Sequence, residues 1–157
     1  MLVSTFSSRK LGVGVISNTI SNHLPTAERA SQPRGRILLV EDDRFLHRVL
    51  REQLWAAGFE VTATDNAATF LTAIVETGAR FDAAIVDLSL PGLDGDVAIT
   101  WLRESEETLL RELPIIVLTG NPNLVEPWLS ALPNVRHILF KPSPMEELLA
   151  CVEDCLG

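Results

Sequence analysis

Four short stretches of this chain that read as strands, three of them wholly apolar, each end in a side chain capable of chemistry. Ile37-Leu38-Leu39-Val40 leads into Glu41-Asp42-Asp43, and Ala83-Ala84-Ile85-Val86 leads into Asp87. Residues 115–118 lead into Thr119, and Val135–Phe140 leads into Lys141. Carboxylates packed together repel one another and need a cation. Hard oxygen donors that leave water positions open favour Mg2+ over a caged metal. A carboxylate can also attack phosphorus and carry a phosphoryl group as an aspartyl phosphate. That transfer needs Mg2+ and fixed cations around the transferred oxygens. A lysine supplies a compact charge there, and a threonine hydroxyl a hydrogen bond.

These four sites share one rim only if the intervening elements bring them together. Residues 37–40 read as a strand. Phe45, Leu46, Val49, Leu50 and Leu54 recur at helical spacing, with Gly58 as the stop. Residues 59–64 read as a strand, and 67–76 as a helix with Phe70, Leu71, Ile74 and Val75 inward, closed by Gly78. After the strand 83–86 comes a turn-rich loop, 88–95. Val97, Ile99, Trp101 and Leu102 then begin a helix that runs into the acidic stretch 104–107, expected to be a solvated helix end. Residues 115–118 form a strand. Residues 122–132 are weakly helical, because Pro122, Pro127 and Pro133 leave room for only about two turns around Trp128 and Leu129. Trp101 and Trp128 are read as packing residues. Val135–Phe140 is the last strand. The final helix is expected to open on a capping box, with Ser143 as N-cap, Pro144 in the first turn and Glu146 three residues on. Its apolar stripe is Met145, Leu148, Leu149, Val152 and Leu156.

Five strands thus alternate with five helices. Continuous apolar strands imply a parallel sheet buried on both faces. Short alternating units with right-handed crossovers give a doubly wound, three-layer α/β/α sandwich. In the flavodoxin-like order 2-1-3-4-5 the first and third strands flank the switch point. Asp42 and Asp87 then face each other there, with Thr119 and Lys141 approaching from the other side.

Charge is unevenly spread. Residues 1–36 carry five basic residues and one acid, a net of +4, and residues 37–157 carry eight basic and twenty acidic residues, a net of −12. A body at −12 is a poor binder of phosphate backbones, which excludes a general nucleic-acid domain. Only two of the 13 basic residues are lysines, Lys10 and Lys141, so the body uses arginine everywhere except on the candidate rim. Residues 1–35 are rich in Ser, Asn, Thr and Gly with no sustained period. They read as a flexible tail or linker before a domain at 36–157. Arg9-Lys10 precedes the short apolar run 11–16, which Asn18 and Asn22 interrupt; it matches neither a membrane span nor a signal peptide. Cys151 and Cys155 read as small core residues of a reducing cytosol rather than a disulfide framework, which places the chain in the cytoplasm.

Together, Ile37-Leu38-Leu39-Val40-Glu41-Asp42-Asp43, the stretch Asp87-Leu88-Ser89-Leu90-Pro91-Gly92-Leu93-Asp94-Gly95, Val117-Leu118-Thr119-Gly120 and Phe140-Lys141-Pro142 resemble the response-regulator receiver domain of two-component signalling. The likeness covers residues 36–156. It implies that Asp87 is the phosphoacceptor. It implies that Asp42 is a direct Mg2+ ligand, with Glu41 acting nearby through water and Ser89 offering its backbone carbonyl. Lys141 and Thr119 would bind the phosphoryl group, and Ser89 and Asn121 occupy positions that tune its lifetime. Pro91, Gly92 and Gly95 would shape the loop into the third helix. The partners implied are a histidine kinase or histidine phosphotransfer protein as donor, and an output protein. The chain would be a switch that catalyses its own phosphorylation and dephosphorylation, either standing alone or as the receiver piece of a hybrid kinase.

One position departs from the family pattern. Receivers often carry an aromatic residue three before the lysine, and here that residue is Ile138. This motivates the alternative of a degenerate receiver that only docks. An Asp-nucleophile phosphatase would want a second acid where Ser89 stands. A flavin or nucleotide binder would want a phosphate loop where Glu41-Asp42-Asp43 would repel one. Asp43 is read as the N-cap of the first helix, outside the metal set. His23, His47 and His137 are read as non-catalytic. Arg44, Arg48 and Arg51 lie on the helix where receivers meet their donor.

Overall fold

Residues 37–40 are completely buried because both faces of their strand are covered. The computed structural model describes residues 32–157, apart from 78–79, 91–94 and the side chains of 76–77. Strand β1 (Arg36–Val40) is followed by α1 (Arg44–Ala56), β2 (Glu60–Thr64), α2 (Ala67–Thr77) and β3 (Ala83–Asp87). Then come α3 (Gly95–Glu104), α4 (Thr108–Arg111), β4 (Ile115–Thr119), a 3-10 turn (Pro122–Leu124), α5 (Pro127–Ser130), β5 (Val135–Phe140) and α6 (Met145–Leu156). All pairings are parallel, in the order β2-β1-β3-β4-β5. The doubly wound sheet read from the apolar runs is the observed fold.

Strand alternation divides the core in two. Leu38, Val40, Val86, Ile115 and Val117 face Phe70, Ile74, Ile99, Leu102 and Leu129 of α2, α3 and α5. Ile37, Leu39, Ile85, Ile116 and Leu118 face Leu50, Leu54, Leu148 and Val152 of α1 and α6. A central strand therefore needs apolar residues at every position, which is why the runs were unbroken.

Several local readings change. Val75, expected inward, is 67% exposed, and Phe45, counted in the helical pattern of the first helix, is 70% exposed. Each sits one residue off the inward ridge carried by Leu46, Leu50 and Leu54 in α1 and by Phe70 and Ile74 in α2. The capping box at Ser143 does not form. Pro144, extended at φ −58° and ψ 140°, is itself the N-cap, so α6 starts one residue later. The Ser143 hydroxyl donates to the Glu147 carboxylate instead, at 3.2 Å. The weak helix of 122–132 is broken into the 3-10 turn and α5, each opened by a proline. Trp101 and Trp128 remain partly exposed. The acidic stretch after α3 leads into α4, a four-residue helix with no apolar period long enough to read.

At the start of the described chain, the Arg34 guanidinium donates to Ala57 O and Glu153 and lies over the Phe59 ring. Residues 1–31 of the expected tail, Gly78, Pro91 and Gly92 lie outside the described residues. No helix among the described residues is long and apolar enough to cross a membrane.

Both cysteines are free, Cys151 buried and Cys155 half-buried in α6. Burial, aided by the Asp154 charge and opposed by Arg136, pushes the Cys155 thiol up to about 11. At pH 8 iodoacetamide is expected to alkylate Cys155 roughly 100-fold more slowly than a free cysteine. A peptide-resolved mass-spectrometric time course checks this, and equal rates would contradict the packed-thiol reading.

Candidate functional site

The carboxyl ends of β1, β3 and β4 and the residue after β5 all open on one rim. Parallel pairing of β1 with β3 sets Val40 beside Val86, so the residues that follow them emerge side by side. The Glu41 N–H still bonds to Thr64 O, and the Lys141 N–H to Thr119 O. The strand ladders thus hold both residues right up to the rim.

Oxygen atoms of Glu41, Asp42 and Asp87 all lie within 4.8 Å of one another. Glu41 is 1% exposed, Asp87 2%, and Thr119 is fully buried. The Lys141 ammonium bridges the two buried acids, donating to Glu41 Oε2 and Asp87 Oδ2 at 2.6 Å each. The other Asp87 oxygen, Oδ1, accepts from the Ser89 N–H at 2.8 Å. Glu41 Oε1 accepts from the Asp43 N–H at 3.1 Å. Each buried carboxylate is therefore oriented by one backbone N–H and one shared cation.

Desolvation is the largest single influence on both Glu41 and Lys141. Burial raises the Glu41 carboxyl above its ordinary value; Lys141 partly offsets this and the Asp87 charge adds to it. Burial acts to lower the Lys141 ammonium, but its hydrogen bonds to Asp87 and Glu41 outweigh that, and the net shift is upward. Three carboxylates against one ammonium leave an excess of negative charge, which a divalent cation would balance. The donor set fits Mg2+, being hard oxygen only and still partly open at the half-buried Asp42.

Sequence reading set Glu41, Asp42, Asp87 and Lys141 at one rim, where the structure brings these four together. It did not foresee that Lys141 is shared between Glu41 and Asp87. It also set Thr119 toward the rim, whereas its hydroxyl donates to Asn121 O (3.3 Å) and accepts from the Asn121 N–H (3.1 Å). Asn121 in turn caps the 3-10 turn, accepting from the Asn123 N–H at 3.0 Å. Asp43 is the N-cap of α1, accepting from the Leu46 N–H at 2.8 Å. His47, read as non-catalytic, sets Nδ1 3.1 Å from Glu41 O and so steadies the backbone of that acid. Its place on the first turns of α1, six residues after Glu41, was the available signal. Ile138 is half-buried and packs against the core cluster on the α2, α3 and α5 side of the sheet. His137 turns to the opposite face and meets Asp154 at 2.9 Å.

Comparison with known proteins bears on this rim. Residues 37–153 match the model of the response regulator receiver domain. The transcriptional regulatory protein YkoG of Bacillus subtilis is 31% identical over 123 residues, covering 78% of this chain and 51% of that one. The sensory/regulatory protein RpfC of Xanthomonas campestris is 31% identical over 141 residues, 88% of this chain and 19% of that one. Among solved structures, the receiver domain of a sensor histidine kinase from Pseudomonas aeruginosa superposes with a TM-score of 0.68 at 29% identity, covering 78% of this chain and 98% of that one. That structure has a magnesium ion coordinated in its active site cleft. The chain spans about half the length of YkoG and about a fifth of RpfC.

Proposed function

The chain belongs to the response regulator receiver domain family, and from that premise we propose that it is a phosphoacceptor switch in which Asp87 takes a phosphoryl group from a phosphohistidine. The observation that carries this reading is the Glu41–Asp42–Asp87 cluster with Lys141 bridging its two buried members. A carboxylate oxygen of Asp87 attacks phosphorus, and the bond from phosphorus to the donor imidazole nitrogen breaks. The electron pair stays on that nitrogen, which takes a proton from solvent. Glu41, Asp42, Asp87 and the Ser89 carbonyl would hold Mg2+, which when bound supplies positive charge to the phosphoryl oxygens.

The rest falls to side chains and backbone. The Ser89 N–H holds Asp87 Oδ1, fixing the plane of the nucleophile. Lys141 leaves Asp87 to follow the phosphoryl oxygens. The Thr119 hydroxyl exchanges Asn121 for the same group, which frees the turn that Asn121 caps. Ser89 and Asn121 flank the path of a hydrolytic water and so govern the lifetime of the aspartyl phosphate. The donor is a histidine kinase or phosphotransfer protein, and the result is an altered protein contact surface. The match to RpfC supports a second reading, in which this receiver works as part of a larger hybrid protein.

Beryllofluoride with Mg2+ mimics the phosphoryl group. At about a hundredfold excess over Kd it is expected to raise Tm by roughly 8 °C, a shift lost in Asp87→Asn and in Asp42→Asn. An unchanged Tm in the wild-type chain would favour the docking-only alternative.

A further inference from the structure

Three exposed apolar side chains far from the rim border one feature. Val75 of α2 (67% exposed), Trp101 of α3 and Leu109 of α4 (60% exposed) line a groove of about 760 Å3. Its floor is Ile74, Phe81 and Leu113. Asp82 directly precedes β3 and Leu113 lies just before β4, so the groove sits at the amino ends of the strands, opposite Asp87. Contiguous exposed apolar surface rimmed by polar groups marks an interaction site.

We propose that this α2–α3–α4 groove docks an amphipathic helix of a partner protein, with Lys or Arg beside its apolar face. The helix follows from the walls. β3 and β4 are paired on both sides, so no free strand edge reaches the groove and strand addition is excluded there. A gap between helices instead accepts apolar side chains spaced three and four apart. The basic charge follows from the rim. Glu106 and Glu107 are exposed, and neither takes part in an ion pair among the described residues. With Asp82 they outnumber Arg80, the one basic residue lining the groove among the described residues. Exposed acids elsewhere are mixed: Glu52, Glu60, Glu104 and Glu153 pair with an arginine, whereas Asp65, Glu112, Glu126 and Glu146 have no ion pair among the described residues. A local acidic excess thus lies beside the exposed apolar side chains, and a basic partner face complements it.

The test uses the full chain and a fluorescein-labelled helical peptide of Leu and Lys at amphipathic spacing, against its Leu/Glu counterpart, by anisotropy. Saturable binding of the Lys peptide alone is expected. Leu109→Glu should weaken it about tenfold or more, as loss of an apolar anchor does, while the Mg2+–beryllofluoride response stays intact and shows the chain folded. Glu106→Gln with Glu107→Gln should weaken it about threefold and reduce its salt dependence. Glu52→Gln with Glu146→Gln, on the opposite face, should leave it unchanged. The proposal is overturned by equal binding of the Leu/Glu peptide, by undiminished binding to Leu109→Glu, by absence of saturable binding, or by self-association of the chain that Leu109→Glu abolishes.

Discussion

Replacing Lys141 by methionine is expected to remove on the order of 3 kcal/mol of stability at neutral pH, because it leaves two buried carboxylates facing each other without a counter-charge. Methionine keeps the length and the apolar stem, so packing changes little. What is lost is two charge-assisted bonds of 2.6 Å, to acids that are 1% and 2% exposed. The folded state of the variant then favours the protonated Glu41 carboxyl, which burial already raises and Lys141 no longer offsets. A carboxyl raised in this way favours folding below its unfolded pKa, and that contribution is lost as pH rises through the folded value. The gap between variant and wild type should therefore widen from about pH 4 upward and narrow on acidification. Mg2+ should stabilise the variant more than the wild type, since it replaces the missing positive charge. Urea unfolding at several pH values, with and without Mg2+, reads all of this. A constant gap across pH would show that the cation is not what holds the two acids.

A second large effect is expected at Gly95, the first residue of α3. A Cβ there would stand 2.1 Å from the carbonyl oxygen of Asp87 and 2.9 Å from Leu88 Cα. Both are backbone atoms at the end of a central strand, with no rotamer to turn aside. Gly95→Ala must therefore move α3 or the Asp87 peptide, at a cost on the order of 3 kcal/mol. Because the displaced atom belongs to the candidate nucleophile, the beryllofluoride response should fall as well. Gly120→Ala is the matched control. Nothing lies within 4 Å of a Cβ built there, so its effect should stay within about 0.5 kcal/mol. Thermal unfolding of the two variants side by side distinguishes a steric requirement from a general intolerance of rim glycines.

The elements were legible where one physical rule governed many residues. Strands buried on both faces must be apolar throughout, so 37–40, 83–86 and 115–118 could be read without help. Polar residues at the carboxyl ends of these strands and of β5 come to one rim, where Glu41, Asp87 and Lys141 touch. Legibility failed where the deciding contact was distant or specific. Lys141 meets Glu41 across 100 positions of sequence, and nothing local says which of two acids it serves. Thr119 turned to Asn121 because a hydroxyl two residues before a turn finds a backbone partner close by. Ser143 lost its capping role to Pro144, whose extended backbone moves the helix start by one residue. The role of Gly95 was read as loop shape, and the structure adds the reason: the helix start packs directly onto the backbone of Asp87.

Acceptance of the phosphoryl group by Asp87 can be measured directly. The full chain is incubated with acetyl phosphate and Mg2+, and the product is examined by intact mass and by peptide mapping after trapping of the acyl phosphate. A single base-labile phosphoryl group per chain is expected, located on Asp87, absent without Mg2+ and absent in Asp87→Asn. An adduct on another residue that persists in Asp87→Asn, or no adduct with Mg2+ present, would contradict it.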